Sequence, residues 1–213
     1  MKDIVILGAG GFAREVTWLI EDNNTVNPEW NILGYVANES SPLLKYPVLG
    51  NDDWLLNYEG EISAVVCTGS ADLKEKIVTK YKDKPNIHFP PIISRHAIVG
   101  DNVQVDDGAI ICAGNILTVN AHVGKFVLIN LDCTVGHEAV LGDYVTLYPS
   151  VNVSGGVTIG RNTEIGTGSA IIHEKEIGEH TIVGAGSVIV RDIPSWVTAV
   201  GVPCKPIKDR REA

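Results

Sequence analysis

Positive charge is scarce in this chain. Its 213 residues carry 17 Lys and Arg against 26 Asp and Glu, a formal net charge of −9. Nucleic acids and anionic membranes bind positive surface, so bulk recognition of either is excluded, though a local basic pocket is not. Cysteine is scarce too. Cys67, Cys112, Cys133 and Cys204 form no CxxC pair, and their spacing suits neither a zinc site nor a disulfide framework. A reducing compartment is the simple reading. Long apolar runs are missing. The opening run extends only from Ile4 to Leu7, too short for a secretory signal. Nothing approaches the roughly 18 apolar residues of a membrane span. The expectation is a cytoplasmic protein. Against these absences, 45% of the residues are apolar, enough for a sizeable core in one large or two small domains.

What is abundant is a period. From Ile87 to Ile189 every sixth residue is Ile, Leu or Val: Ile93, Val99, Val105, Ile111, Leu117 and onward without a break in phase. A helix would show a period of about 3.6 and an ordinary strand a period of about 2. Four positions beyond each aliphatic sits a smaller residue, such as Ala109, Ala121, Cys133 or Ser169, with Asn115 and Lys175 as exceptions. Gly often follows the aliphatic, as in Val123-Gly124 and Ile159-Gly160, where it is expected to ease the turn. This is the hexapeptide repeat of a parallel β-helix, three hexapeptides per triangular coil. The sixteen repeats from Val99 to Ile189 predict about five coils, a prism roughly 25 Å tall.

The preceding residues read differently. "DIVILGAGGFAREVTWLIEDN" predicts a strand, a Gly-rich turn and a helix with Val16, Leu19 and Ile20 on one face. "WNILGYV" and "ISAVVCTGS" read as buried strands and "ADLKEKIVTKYK" as a helix, so a small parallel α/β sheet is expected. The division is therefore a Rossmann-like half over residues 1–89 and the β-helix over 90–213, joined at "PPIIS".

The turn Gly8-Ala9-Gly10-Gly11-Phe12-Ala13 fits G-x-G-x-x-A, whose backbone N–H groups hold a phosphate at a helix N-terminus. Dinucleotide binding is disfavoured. The domain is about half a full dinucleotide fold, and Ala37-Asn38-Glu39 lacks a clear acidic residue where a ribose would sit. A mononucleotide or sugar phosphate fits better, with Gly10, Gly11, Phe12, Ala13 and Arg14 as its contacts. The plainer alternative is a tight strand–helix turn that binds nothing. Gly69, at the end of another central strand, would also let a ligand approach.

In the prism, "INLDCTVGHE" sets His137 beside Glu138. Residues 18 apart stack, so Gly155-Gly156 lies over this pair, with His173 one coil further on. A gap without side chains is expected there, with backbone N–H groups able to face an oxyanion. Imidazole is the usual general base near neutrality, and Glu138 would hold its tautomer. Asn130, on a neighbouring face, is a candidate to orient a substrate. The plain alternative is an exposed corner histidine with a solvated carboxylate. His88, His96, His122 and His180 read as surface or packing residues. A metal site at His137 and His173 lacks a third ligand, since Gly178 stands where one is needed, so no metal is expected.

The segments "ILGAGGFAREV", "CTGSADLKEKI", "NLDCTVGHEAVLGDYVTLYPSVNVSGGVTIG" and "VGAGSVIVRDIPSWVTAVGVPCKPIK" together resemble bacterial sugar O- and N-acetyltransferases. These pair a small nucleotide-binding-like domain with a left-handed β-helix. The resemblance covers nearly the whole chain. It implies a homotrimer that uses acetyl-CoA, held in the cleft between adjacent β-helices, and a sugar or nucleotide-sugar acceptor held by the N-terminal domain. It makes His137 the general base and Glu138 its acidic helper, taking a proton from a sugar amine or hydroxyl as it attacks the thioester. Gly155, Thr167, Gly184 and Ala185 would line the acetyl-CoA path. The charge of Lys205 and Lys208 suits the CoA phosphates. Two departures stand out. Many members carry a second His nine residues after the base, where this chain has Thr146, which keeps a hydrogen bond to offer the cofactor. Many also carry His in the Gly-rich turn and two acidic residues after the second strand; here these are Phe12 and Ala37-Asn38, leaving Arg14 to meet an anionic group. The rival readings are a non-catalytic sugar-binding trimer and a metal-dependent hydratase of the carbonic anhydrase type.

Overall fold

The computed structural model describes residues 1–211. β1 (Lys2–Leu7) leads through a turn into α1 (Gly11–Asn24), followed by β2 (Trp30–Val36), β3 (Val48–Gly50), α2 (Asp52–Leu56), β4 (Ile62–Val66), α3 (Ala71–Lys80) and β5 (Ile87–His88). The five strands are parallel in the order β3-β2-β1-β4-β5. The buried residues Ile4–Leu7 of β1 and Ile62–Val66 of β4 are aliphatic but for Ser63, because both faces of these strands are covered. α1 buries Val16, Leu19 and Ile20, as its spacing predicts. β3, α2 and β5 are too short to show a period in the sequence. The strand order reverses between β1 and β4, and such a switch point opens a crevice beyond the strand ends.

Beyond β5 the hexapeptide expectation holds. Two-residue strands recur every six residues, and those from Ile98–Val99 to Val188–Ile189 complete five turns with one strand over. They form three parallel sheets. The first face starts at Ile92–Ile93 and has eight strands, its last two being Val197–Val200 and the antiparallel Lys205–Asp209. The second face runs from Ile98–Val99 to Val188–Ile189, and the third from Gln104–Val105 to Glu176–Ile177. Strands pair with partners 18 residues away, as Thr134 does with Ile116 and Asn152. Every inward aliphatic from Ile111 to Ile189 is at most 2% exposed. Val99 stands open at 40%, because it belongs to the end coil with nothing stacked beneath. Asn115 replaces a small residue without a cavity: it is fully buried and bonds to the Cys112 and Ile129 carbonyls and the Cys133 N–H.

The glycines after the aliphatics act differently from the expectation. The left-handed corner lies two residues later and recurs at every sixth residue from Asn102 to Gly186, in non-glycine residues more often than not. Glycine directly after the aliphatic has ordinary dihedrals and is needed for closeness. A Cβ at Gly160 would lie 2.5 Å from the Glu179 nitrogen, and one at Gly166 2.5 Å from that of Ala185.

The α/β domain docks on the first face and on the vertex between the third and first faces. Ile92, Ile110 and Leu128 share one buried cluster with Ile4, Val16 and Tyr35. At the vertex, Phe126 and Tyr144 stack with centroids 5.4 Å apart, and Phe89 packs edge-on against Phe126 at 5.3 Å. The vertex between the second and third faces is the one that this docking leaves untouched.

The two kinds of glycine separate in stability. Gly160→Ala, forced against backbone, should cost about 3 kcal/mol. Gly168→Ala, at φ +70 with nothing within 4 Å of its Cβ, should cost only the left-handed term of about 1 kcal/mol. Urea unfolding midpoints compare them; equal losses would refute the close-approach explanation.

Candidate active site

His137 and Glu138 occupy the vertex opposite the docked face. The His137 Nδ1 lies 2.7 Å from Glu138 Oε2, and both side chains are 63% exposed. Neighbours on a strand point to opposite sides. Here the left-handed backbone of Glu138, at φ 57, turns its carboxylate back onto the imidazole. A carboxylate only accepts, so it holds the proton on Nδ1 and leaves Nε2 as the basic nitrogen.

The empty gap expected beside His137 is instead filled by the imidazole. A Cβ on Gly155 would sit 2.3 Å from His137 Cε1 and 2.4 Å from Nε2, so the ring lies flat on the glycine. Gly156 N–H donates to the His137 carbonyl at 2.8 Å. Among the described residues none accepts from the Gly155 N–H. A base and a free backbone donor thus lie side by side.

The other expected site residues fall in four places. Thr167, Gly184 and Ala185 lie on the vertex between the first and second faces, where Gly168 and Gly186 leave open space. Asn130 belongs to that vertex too, its Oδ1 accepting from the Leu131 N–H at 2.7 Å, and is not brought to His137. Lys205 is exposed on the antiparallel edge strand. Thr146 and Gly69 meet inside the interdomain contact. Thr146 is fully buried and its hydroxyl donates to the Gly69 carbonyl at 2.8 Å, so in this chain it is withdrawn from any cofactor. The reason is its position on the docked face, which the α/β domain covers.

The Gly-rich turn sits across the prism from His137. α2 and α3 are capped by the side chains of Asn51 and Ser70, whereas α1 begins at Gly10 with no side-chain cap and no acidic residue in its first turn. The Arg14 guanidinium reaches over this turn, 3.9 Å from a Cβ built on Gly11, and forms no ion pair among the described residues. Ala9, Gly10 and the Ala37–Ser41 segment line an open cleft of about 420 Å³ beside it. Free N–H groups, a positive helix end and an unpaired guanidinium suit an anion. Phe12 packs partly into the core and Ala13 is fully buried, so their backbones, not their side chains, face this site.

Sequence reasoning missed Lys74. It is 2% exposed, and its Nζ donates to the carbonyls of Phe126 and Val145 and to Thr146 Oγ1, at 2.9, 3.2 and 2.8 Å. Burial pushes its pKa down to about 7, and Glu164 offsets this in part. A lysine sharing a helix face with Ala71, Ile77 and Val78 was the available signal. The thiols are no nucleophiles: burial raises Cys133 to about 11 and Cys112 to about 12.

Comparison with known proteins agrees with this geometry. Residues 3–81 match the family described as PglD N-terminal domain. The acetyltransferase domain of PglB from Neisseria gonorrhoeae superposes with a TM-score of 0.90 at 25% identity, covering 97% of this chain and 100% of that one. Perosamine N-acetyltransferase from Caulobacter crescentus, solved with CoA and GDP-perosamine, is 31% identical over 98% of each chain, with a TM-score of 0.87. The chain belongs to the bacterial sugar acetyltransferases built on hexapeptide repeats. The family's α/β domain followed by a left-handed β-helix is the architecture found here. GDP-perosamine N-acetyltransferase of Escherichia coli O157:H7 is 33% identical over 100 residues; the match spans 46% of this chain and 45% of that protein. No helix among the described residues is long and apolar enough to cross a membrane.

Lys74 makes stability depend on pH. Its folded pKa of about 7 lies below the ordinary 10.5, so between these values the unfolded chain binds the extra proton. Raising the pH through this window should stabilise wild type relative to Lys74→Met, by at most about 1.4 kcal/mol per pH unit. Chemical denaturation of both proteins at pH 7 to 10 measures the difference, in which the opposing thiol and tyrosine titrations cancel. A pH-independent difference would refute it.

Proposed function

We propose that the chain is an acetyl-CoA-dependent sugar acetyltransferase that works as a cytoplasmic homotrimer. The observation that carries this is the His137–Glu138 pair lying on Gly155. Acetyl transfer needs a base near neutrality and a donor for the oxyanion, and both are present there. His137 Nε2 takes the proton from the acceptor amine or hydroxyl as that group attacks the thioester carbonyl. The Gly155 N–H donates to the oxyanion. The tetrahedral adduct then collapses with loss of the C–S bond, and the imidazolium returns its proton to the departing sulfur. Glu138 holds the ring throughout.

The acceptor belongs to the domain of residues 1–89, with phosphate on Gly10, Gly11 and Arg14. The neighbour solved with GDP-perosamine supports a nucleotide-linked amino sugar, and its CoA supports the donor. The geometry supports a second copy. In one protomer the Gly-rich turn and His137 lie on opposite sides of the prism, which favours a site shared between copies. The second face supports association as well: its outward residues, Ile98, Ile116, Thr134, Asn152, Ala170 and Val188, include no charge. That face lies between the His137 vertex and the Thr167–Ala185 vertex. Packing it against a neighbour brings one vertex from each copy to a shared cleft that suits the pantetheine arm, with Lys205 as a phosphate contact at its end.

Thiol release from acetyl-CoA, measured with free and nucleotide-linked amino sugars, GDP-perosamine and sialic acid, is expected to depend on the acceptor. His137→Ala should lower it on the order of 10²–10⁴-fold. Release that is independent of His137 would refute the assignment. His137→Ala and Arg14→Ala proteins, each inactive, should regain about a quarter of wild-type rate when refolded together in equal amounts, if the site is shared between copies. No recovery in mixed oligomers would overturn the shared site.

A further inference from the structure

We infer that Lys74 is a positioning residue for the acceptor: through Thr146 it fastens the Thr68–Ser70 lip of the acceptor crevice to the β-helix. The inference rests on the acetyltransferase reading above. The lip follows β4 at the switch point of the sheet, and Gly8 of the opposite lip approaches it, a Cβ there lying 3.4 Å from the Cys67 carbonyl. A shift of the lip therefore changes the width of the crevice.

The hydrogen bonds specify one arrangement. Thr146 has a single hydroxyl hydrogen, which it gives to the Gly69 carbonyl. Toward Lys74 it can only accept, and so can the carbonyls of Phe126 and Val145. Three acceptors surround one nitrogen: below about pH 7 the ammonium gives each of them an N–H, and above it the amine still has two N–H bonds to give. Among the described residues no carboxylate is within hydrogen-bond reach of that nitrogen. A buried amine of this kind is a costly way to join two surfaces that apolar residues would hold as well. What it supplies is direction: the N–H donated by Lys74 orients the Thr146 oxygen, which orients Gly69.

The next coil pins the other side of the lip. Glu164 Oε1 accepts from the Ala71 N–H at 2.9 Å, and its Oε2 accepts from the Tyr148 hydroxyl at 3.0 Å. The Tyr148 ring lies over Gly69, 3.2 Å from where a Cβ would be. The backbone on both sides of Ser70 is thus tied to two successive coils, and Lys74 lies at the root of the tie. His137 and Gly155 are on the opposite vertex, so the tie acts on the acceptor and leaves the acetyl donor alone.

The test is steady-state kinetics with GDP-perosamine and acetyl-CoA on wild type, Lys74→Met, Thr146→Val and Thr146→Ser, together with amide hydrogen exchange over residues 68–71. Thr146→Val keeps the β-branched shape and carries the test if Lys74→Met does not fold. Lys74→Met and Thr146→Val should raise the acceptor KM roughly tenfold, with the acetyl-CoA KM and kcat within about twofold of wild type. Both should speed exchange in the lip, and Thr146→Ser should behave as wild type. An unchanged acceptor KM, or equal effects on both substrates, would overturn the inference. If wild type shows no transfer at all, the acetyltransferase reading fails by itself, while unaltered exchange in Thr146→Val would separately refute the tie.

Discussion

The stacking distance between coils controls this molecule. Each strand hydrogen-bonds to partners 18 residues away, so successive turns approach to the spacing of a sheet. That closeness demands an aliphatic inside, a glycine wherever two backbones would collide, and a left-handed residue at each corner. Because corner geometry is dictated by the stack, corner side chains are free to vary. Phe126 and Tyr144 use the same backbone position to dock a domain that Glu138 uses to hold an imidazole. One backbone rule therefore serves adhesion on one vertex and acid–base chemistry on another.

The docked domain determines which parts of the prism remain available. It covers the first face, reaches onto both vertices that flank it, withdraws Thr146, and leaves the His137 vertex and the uncharged second face to solvent in a single copy. The Gly-rich turn and the His137–Glu138 pair are thereby placed on different parts of the surface. The buried cluster around Ile4, Ile92 and Leu128 makes the two parts of the chain one packed body. The separation of the Gly-rich turn from His137 is therefore set by packing, not by a flexible linker.

The repeat was legible in the sequence because its period cannot be produced by a helix or an ordinary strand. The stacking of His137 on Gly155 followed from counting 18. Other features were hidden for physical reasons. The glycine after the aliphatic looks like a turn residue, yet only coordinates show that neighbouring backbone, and not a dihedral, requires it. Thr146 read as a cofactor contact because sequence gives its place in the coil but not which face another domain will cover. Lys74 was invisible because a lysine in a helix is ordinarily solvated, and its acceptors come from segments 52 to 72 residues away.

The unbroken corner series from Asn102 to Gly186 also limits how such a chain can change length. Deleting one residue from any strand would turn every later aliphatic outward and move every later left-handed corner onto a residue chosen for another task. Removing six would preserve the pattern but rotate all that follows by one face, parting His137 from its glycine or the α/β domain from its seat. Only whole coils of 18 residues keep each face where it is. Loops can lengthen at the corners, where the chain is already turning. The length of this prism is therefore quantised, and its catalytic corner is protected by arithmetic as much as by packing.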